Sequence, residues 1–182
     1  DANIQLPLVG MGFITPSFKE RDAKVLDVIS TILSNGKSSR LYKKLVDDKK
    51  MALQAFSFSR PLEDYSVYLI GSILAQGADK DELIKEIDDE IVKLQTELIS
   101  DEDLQKVRNK FENQFVASNS NVQGIAATLA REYLLGGDTN RINNELDIIN
   151  SITKEEIREA AKKYLAKNKR VVMDYLPESQ KK

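Results

Sequence analysis

The sequence predicts an α+β domain in which helices are layered on one antiparallel or mixed sheet. Three observations predict it. The elements run β-α-α-β-β-α-α-α-α-α-β along the chain. The turn Arg60-Pro61-Leu62-Glu63-Asp64 joins two apolar runs as an antiparallel hairpin. No Pro-, Gly- or Ser-rich linker and no fixed-period repeat divides the 182 residues. Residues 1–176 are therefore expected to be one domain, with 177–182 a flexible tail.

The first strand is expected over 4–14. Ile4, Leu6 and Leu8 alternate with Pro7, Val9, Met11 and Phe13, so both faces are largely apolar. Pro7 suggests an edge position or a bulge, and Pro16 ends the strand. Val25, Leu26, Ile29, Ile32 and Leu33 recur at helical spacing over 19–35, and Gly36 stops that helix. Ser38 or Ser39 caps a shorter helix whose Leu41, Tyr42 and Leu45 face inward. Residues 51–60 and 66–76 form the hairpin.

From Asp79 the period changes from 2 to 3.6. Asp79-Lys80-Asp81-Glu82, Ser100-Asp101-Glu102-Asp103 and Thr153-Lys154-Glu155-Glu156 each carry capping-box spacing. The first opens a helix over 79–98, with Leu83, Ile87, Ile91, Leu94 and Leu98 as its stripe. The second opens a helical stretch to Leu135 with Leu104, Val107, Phe111, Phe115, Val122, Ile125, Leu129 and Tyr133 in phase. Ser118-Asn119-Ser120-Asn121 and Gly124 break it, which predicts a kink or two helices. Asp138 or Thr139 caps the next helix, with Ile142, Leu146 and Ile149 inward. Thr153 caps the last, with Ile157, Ala161, Tyr164 and Leu165. Val171, Met173 and Tyr175 alternate in a final strand.

Composition excludes several function classes. Apolar residues are 41% and charged residues 31% of the chain, enough for a real core; a chain of this length hides roughly 70% of its unfolded surface. Cysteine is absent, which removes disulfides, a thiolate nucleophile and cysteine-bound zinc. Histidine is also absent, which removes a Ser-His-Asp triad, a histidine base and every histidine-bound metal. With 27 basic and 29 acidic residues, the net charge of −2 is not that of a nucleic-acid binder. No apolar run approaches the roughly 20 residues of a membrane-spanning helix. The opening Asp-Ala-Asn has neither an initiator Met nor a signal peptide, so the chain is expected to be cut from a longer one. A bacterial periplasm and a cytoplasm both remain open as its compartment.

Candidate chemistry is sparse. Asp88-Asp89-Glu90 and Glu155-Glu156 are most simply solvated or capping acids. Gly10-Met11-Gly12 lies inside a strand, and Asn35-Gly36-Lys37-Ser38-Ser39 lacks the first glycine of a P-loop. Gly136-Gly137-Asp138-Thr139-Asn140-Arg141 joins two helices and sets a cation beside a helix N-terminus. That arrangement suits a carboxylate or peptide carbonyl, or is simply a C-cap followed by an N-cap.

Several segments together resemble the C-terminal half of pitrilysin/insulinase-type zinc metallopeptidases. They are Ser38-Ser39-Arg40-Leu41-Tyr42-x-x-Leu45, the Ala52-containing strand, Gly136-Gly137-Asp138, and Ile149-Asn150-Ser151-Ile152-Thr153-Lys154-Glu155-Glu156-Ile157 with Ala161 and Tyr164-Leu165. The match runs in order over nearly the whole chain. It implies an α/β roll forming half of a clamshell, with zinc held by an inverted His-x-x-Glu-His motif in the other, N-terminal half or in a partner subunit. It also implies that this chain is inactive alone and helps enclose a peptide substrate. The substrate-contacting arginine of the family falls on Arg141; its tyrosine, seven residues on, falls on Ile148, where this sequence departs from the pattern. A catalytically silent structural or assembly subunit of the same fold is the alternative.

Overall fold

The computed structural model describes residues 6–176. Its strands are β1 (Leu8–Thr15), β2 (Ala52–Arg60), β3 (Ser66–Leu74) and β4 (Arg170–Tyr175). Its α-helices are α1 (Arg21–Ser34), α2 (Lys80–Thr96), α3 (Asp101–Ser118), α4 (Val122–Arg131), α5 (Arg141–Ser151) and α6 (Lys154–Tyr164). The sheet runs β2-β3-β1-β4, and every pair is antiparallel. The fold is α+β, as the element order predicts. Ile4, with which the predicted first strand begins, and the predicted tail lie outside the described residues.

Helices cover one face of the sheet. Val9, Met11 and Phe13 of β1 and Tyr68, Ile70 and Leu74 of β3 are buried against them. From the helix side come Leu26, Ile29, Leu33, Leu83, Ile87, Leu94, Ile157 and Ala161, also buried. Each large aliphatic side chain among these contributes on the order of 1.5–3 kcal/mol by leaving water. Helix α1 lies on β2, and α6 packs against both α1 and α2. Helices α3 and α5 pack on each other and on α1.

Polar contacts set the helix register. Arg21 Nε donates to Glu156 Oε1 at 2.7 Å, and its Nη2 to Glu156 Oε2 at 3.2 Å. The Tyr164 hydroxyl donates to Asp22 Oδ2 at 2.6 Å. Together they clamp α1 to α6. Ser30 and Ser34 tie α1 to the Ser57 backbone of β2.

The three predicted helix starts all form. Asp79, Ser100 and Thr153 accept from the backbone N–H three residues on. The reciprocal bond closes at Thr153, whose N–H donates to Glu156 Oε2 at 2.8 Å.

Several sequence expectations need correction. Strand β1 is not an edge: it pairs with both β3 and β4. Pro7 precedes its first residue, where a missing N–H costs no ladder bond, and its carbonyl accepts from Leu74 N at 2.9 Å. Neither Asp138 nor Thr139 caps α5; Asn140 is its N-cap without a side-chain bond, and Asp138 Oδ1 instead accepts from Asn140 N at 2.9 Å. The short helix predicted after Ser39 is a wider π-type turn over Tyr42–Asp48, with Leu41 and Leu45 buried. The long helical stretch divides into α3 and α4 at the predicted break. The outer part of its apolar stripe is not covered: Val122 and Tyr133 are exposed, and α4 buries no residue.

Candidate functional site

The loop Gly136–Asn140 places Arg141 at the first turn of α5. Gly137 turns the chain with φ +75°, and its N–H donates to Tyr133 O at 2.9 Å, closing the preceding helical turn. Arg141 packs directly over Gly136: a Cβ there would lie 2.6 Å from Arg141 Cδ and 2.8 Å from Nε and would displace the arginine side chain. The arginine therefore folds back over the glycine, and its Nε lies 3.4 Å from Glu132 Oε2.

Glu132 is the anchor of this region. It is 2% exposed and also accepts from Arg131 at 3.2 Å. A carboxylate this deep needs cationic partners to offset lost hydration, and it has two. Three cations surround the Phe18 ring: Lys24 Nζ at 5.4 Å from its centroid, Arg141 at 5.5 Å and Arg131 at 5.9 Å. Lys24 in turn pairs with Glu145 at 2.8 Å.

Beside this cluster lies a cavity of about 300 Å³, bounded by α1, the end of β2, α3, α4 and α5. Phe18, Phe111 and Phe115 supply apolar wall, and Lys24, Asp27, Arg131 and Glu145 supply charge. Burial pushes the Asp27 carboxyl up to about 6, against the pull of Lys24.

Of the residues singled out by sequence, Arg141 reaches this cluster. Ile148 sits on the same helix, partly buried. Asp88 pairs with Arg170 and Lys167, and Glu156 with Arg21, so both acids are structural. Phe18, Lys24, Asp27, Arg131, Glu132 and Glu145 escaped sequence reading. A signal existed in α1, where Lys24 and Asp27 are charges three residues apart among the apolar residues Ala23, Val25, Leu26, Val28 and Ile29. Glu132 carried no local signal, because its partners come from the helix joint.

These donors do not suit zinc. The chain has no histidine or cysteine, Glu145 and Glu132 are committed to cations, and among the described residues no group of three or more acids, histidines or cysteines is placed to hold a metal.

The sheet face turned away from the helices is the second notable surface. Cross-strand rows place Gln54, Ile73, Leu8 and Tyr175 together, then Phe56, Gly71, Gly10 and Met173, then Phe58, Leu69, Gly12 and Val171. Ile14, Val67 and Arg60 form the last row. Arg60 is the one charge among these positions. Met173 reaches over Gly10, Leu69 over Gly12 and Phe56 over Gly71, where a Cβ would meet the phenyl ring at 2.4 Å. Ile14, Phe58, Val171, Met173 and Tyr175 are exposed. Contiguous exposed apolar faces of this kind are characteristic of surfaces that bind a partner.

Residues 1–111 match the family model described as the peptidase M16 inactive domain. The chain is 33% identical over 135 residues to the zinc protease PqqE of Helicobacter pylori, covering 74% of this chain and 30% of that protein. Among solved structures, a protease from Helicobacter pylori superposes with a TM-score of 0.90 at 27% identity, over 97% of this chain and 43% of that one. The inactive peptidase domain of a Bordetella parapertussis protein gives 0.84 at 25% identity, over 94% and 91%. A chain of complex III from Candida albicans, 13% identical, shares the fold with a TM-score of 0.80, over 96% and 43%. The chain thus spans under a third of the curated relative it matches.

Proposed function

The chain belongs to the peptidase M16 inactive-domain family, and from that premise we propose that it is the non-catalytic C-terminal half of a zinc-dependent endopeptidase. It forms one wall of a chamber that encloses a peptide. The zinc and the general base belong to an N-terminal half or subunit, which supplies the hydrolytic chemistry. What this chain contributes is shape, closure and charge.

The observation that carries this reading is the fixing of Arg141. Glu132 and the close approach over Gly136 hold its guanidinium at a defined place beside a polar cavity. A cation so held positions a peptide carbonyl or carboxylate without a large ordering cost. The bare sheet face supports the same reading from the other side. It offers the zinc-bearing half an apolar surface on which to seat, while the cavity side faces the peptide.

The test is kinetic. In the intact two-half protein, Arg141→Ala lowers kcat/KM about 10- to 100-fold, mainly through KM, and Arg141→Lys recovers only part of it because the planar fork is lost. Unchanged kinetics in both variants remove Arg141 from the substrate site.

A second reading has its own support. Ile148 stands where the resemblance leads one to expect tyrosine, so half of the expected substrate-contacting pair is missing. On that reading the chain is a structural or assembly subunit, a fold-level parallel to the complex III chain. A His-x-x-Glu-His motif upstream decides for the peptidase, and its absence for the scaffold.

A further inference from the structure

We propose that the cavity beside Asp27 is a receptor for one basic side chain, lysine or arginine, with Asp27 as its counter-ion and Phe111 and Phe115 along its aliphatic stem. That the side chain is carried by a polypeptide in the chamber rests on the proposed function; the receptor itself rests on the cavity.

Among the carboxylates around the cavity, Asp27 is the one left without a cationic partner within 4 Å among the described residues. Lys24 is 2.8 Å from Glu145. Arg131 and Arg141 share Glu132 at 3.2 and 3.4 Å. Asp27 has no ion pair within 4 Å among the described residues, and its side chain takes part in no hydrogen bond there. Its main-chain carbonyl accepts from Thr31 at 3.1 Å, which leaves the carboxylate free to face the cavity. The cluster's three cations and three carboxylates balance, with Arg131 and Arg141 sharing one partner, so the head of a cationic ligand meets Asp27 as the one carboxylate here without an ion pair within 4 Å among the described residues.

Ligand classes separate on this basis. An anion has to draw Lys24 from Glu145 or Arg131 from Glu132, and then meets Asp27. A neutral apolar group fills the space but removes water from Asp27 without replacing it, which is costly. A cation on a methylene stem satisfies both features. Its head pairs with Asp27, and its stem covers the rings of Phe111 and Phe115, neither of which has a cation over it among the described residues. Gln114 and Thr128, also on the wall, offer oxygen acceptors for the remaining donor protons. Arg131, half exposed at this wall, marks where the cavity reaches solvent.

The receptor is pH-dependent. Asp27 is faced by Lys24 of its own helix, Arg131 from α4, Glu145 from α5 and Tyr68 from β3. Burial holds it partly protonated near about pH 6. A cationic ligand binds the ionised form, so affinity rises as pH passes upward through that range.

The experiment titrates the 182-residue chain with the amides of Nα-acetyl-lysine and Nα-acetyl-arginine, following backbone amide shifts at Asp27, Phe115 and Thr128. The uncharged controls are the amides of Nα-acetyl-norleucine and Nα-acetyl-citrulline. The cationic probes are expected to bind at least about tenfold more tightly than their controls. Wild-type affinity is expected to drop about tenfold between about pH 7.5 and about pH 5, a comparison that needs no variant. Asp27→Asn abolishes the preference. Equal binding of charged and neutral probes, or a preference that survives at low pH, overturns the receptor and leaves the chamber reading untouched. Cation binding by a parent protein without zinc or peptidase activity overturns the polypeptide source alone.

Discussion

Arg141 folds back over Gly136 to reach Glu132, nine residues earlier, with its Nε 3.4 Å from the carboxylate. This contact depends on a missing side chain, and the neighbouring glycine provides a control. Gly136→Ala pushes the arginine stem away, and in the intact protein it is expected to lower kcat/KM in the same direction as Arg141→Ala. Gly137 has φ +75°, and a methyl group added there would meet no atom within 4 Å. Gly137→Ala therefore costs about 1 kcal/mol of stability through the backbone alone and leaves the kinetics unchanged. Identical kinetics in the two variants contradict the positioning role of Gly136.

Asp27→Asn is expected to stabilise the chain at neutral pH. The folded carboxyl is raised from 3.8 to about 6, so the folded state holds a proton that the unfolded chain has already released. Stability therefore falls as pH rises from about 4 through about 6, and an amide escapes that loss, worth up to about 3 kcal/mol above the window. Thermal melts at about pH 4 and about pH 7.5 check this: the variant's advantage appears at the higher pH and vanishes at the lower.

The α1–α6 clamp has the opposite sign. The Tyr164 hydroxyl and then Lys163 hold Asp22 below its usual value, and Arg21 does the same for Glu156. Their contribution is present above the ordinary carboxylate range and is lost as pH falls below about 4. Tyr164→Phe costs up to about 1 kcal/mol at neutral pH, since Asp22 is partly solvated, and nothing near about pH 2. Melts across that range test the sign.

The bare sheet face gives a prediction that separates folding from assembly. Met173 and Ile14 are exposed, so Met173→Glu or Ile14→Lys is expected to shift the chain's own stability by no more than about 0.5 kcal/mol. When the two halves are expressed as separate chains, the same changes weaken their association at least about tenfold, measured by sedimentation. Unaltered association removes this face from the joint between halves.

Periodicity made most of the fold legible. The hairpin, the break at Ser118–Asn121 and the three helix starts each rest on local chemistry that tertiary contacts then reinforced. Three features lay beyond local reading. Pro7 suggested an edge because its missing N–H is visible in sequence, while the partner on the far side of β1 comes from a strand more than 150 residues later. Val122 and Tyr133 kept helical phase, but phase states which residues share a stripe and not whether anything covers it. The strand alternation of Val171, Met173 and Tyr175 likewise gave the face and not its exposure. At the site, the resemblance singled out Arg141, whereas Asp27, Glu132 and Phe18 gain their roles only when four helices and a strand end converge around one cavity.

The most direct measurement of the central claim pairs elemental zinc analysis with peptide cleavage, on this chain alone and on the chain joined to its N-terminal half. The account predicts no stoichiometric zinc and no cleavage from the chain alone, and about one zinc per molecule with proteolysis from the joined protein. Tightly held zinc or peptide hydrolysis by the isolated chain contradicts it.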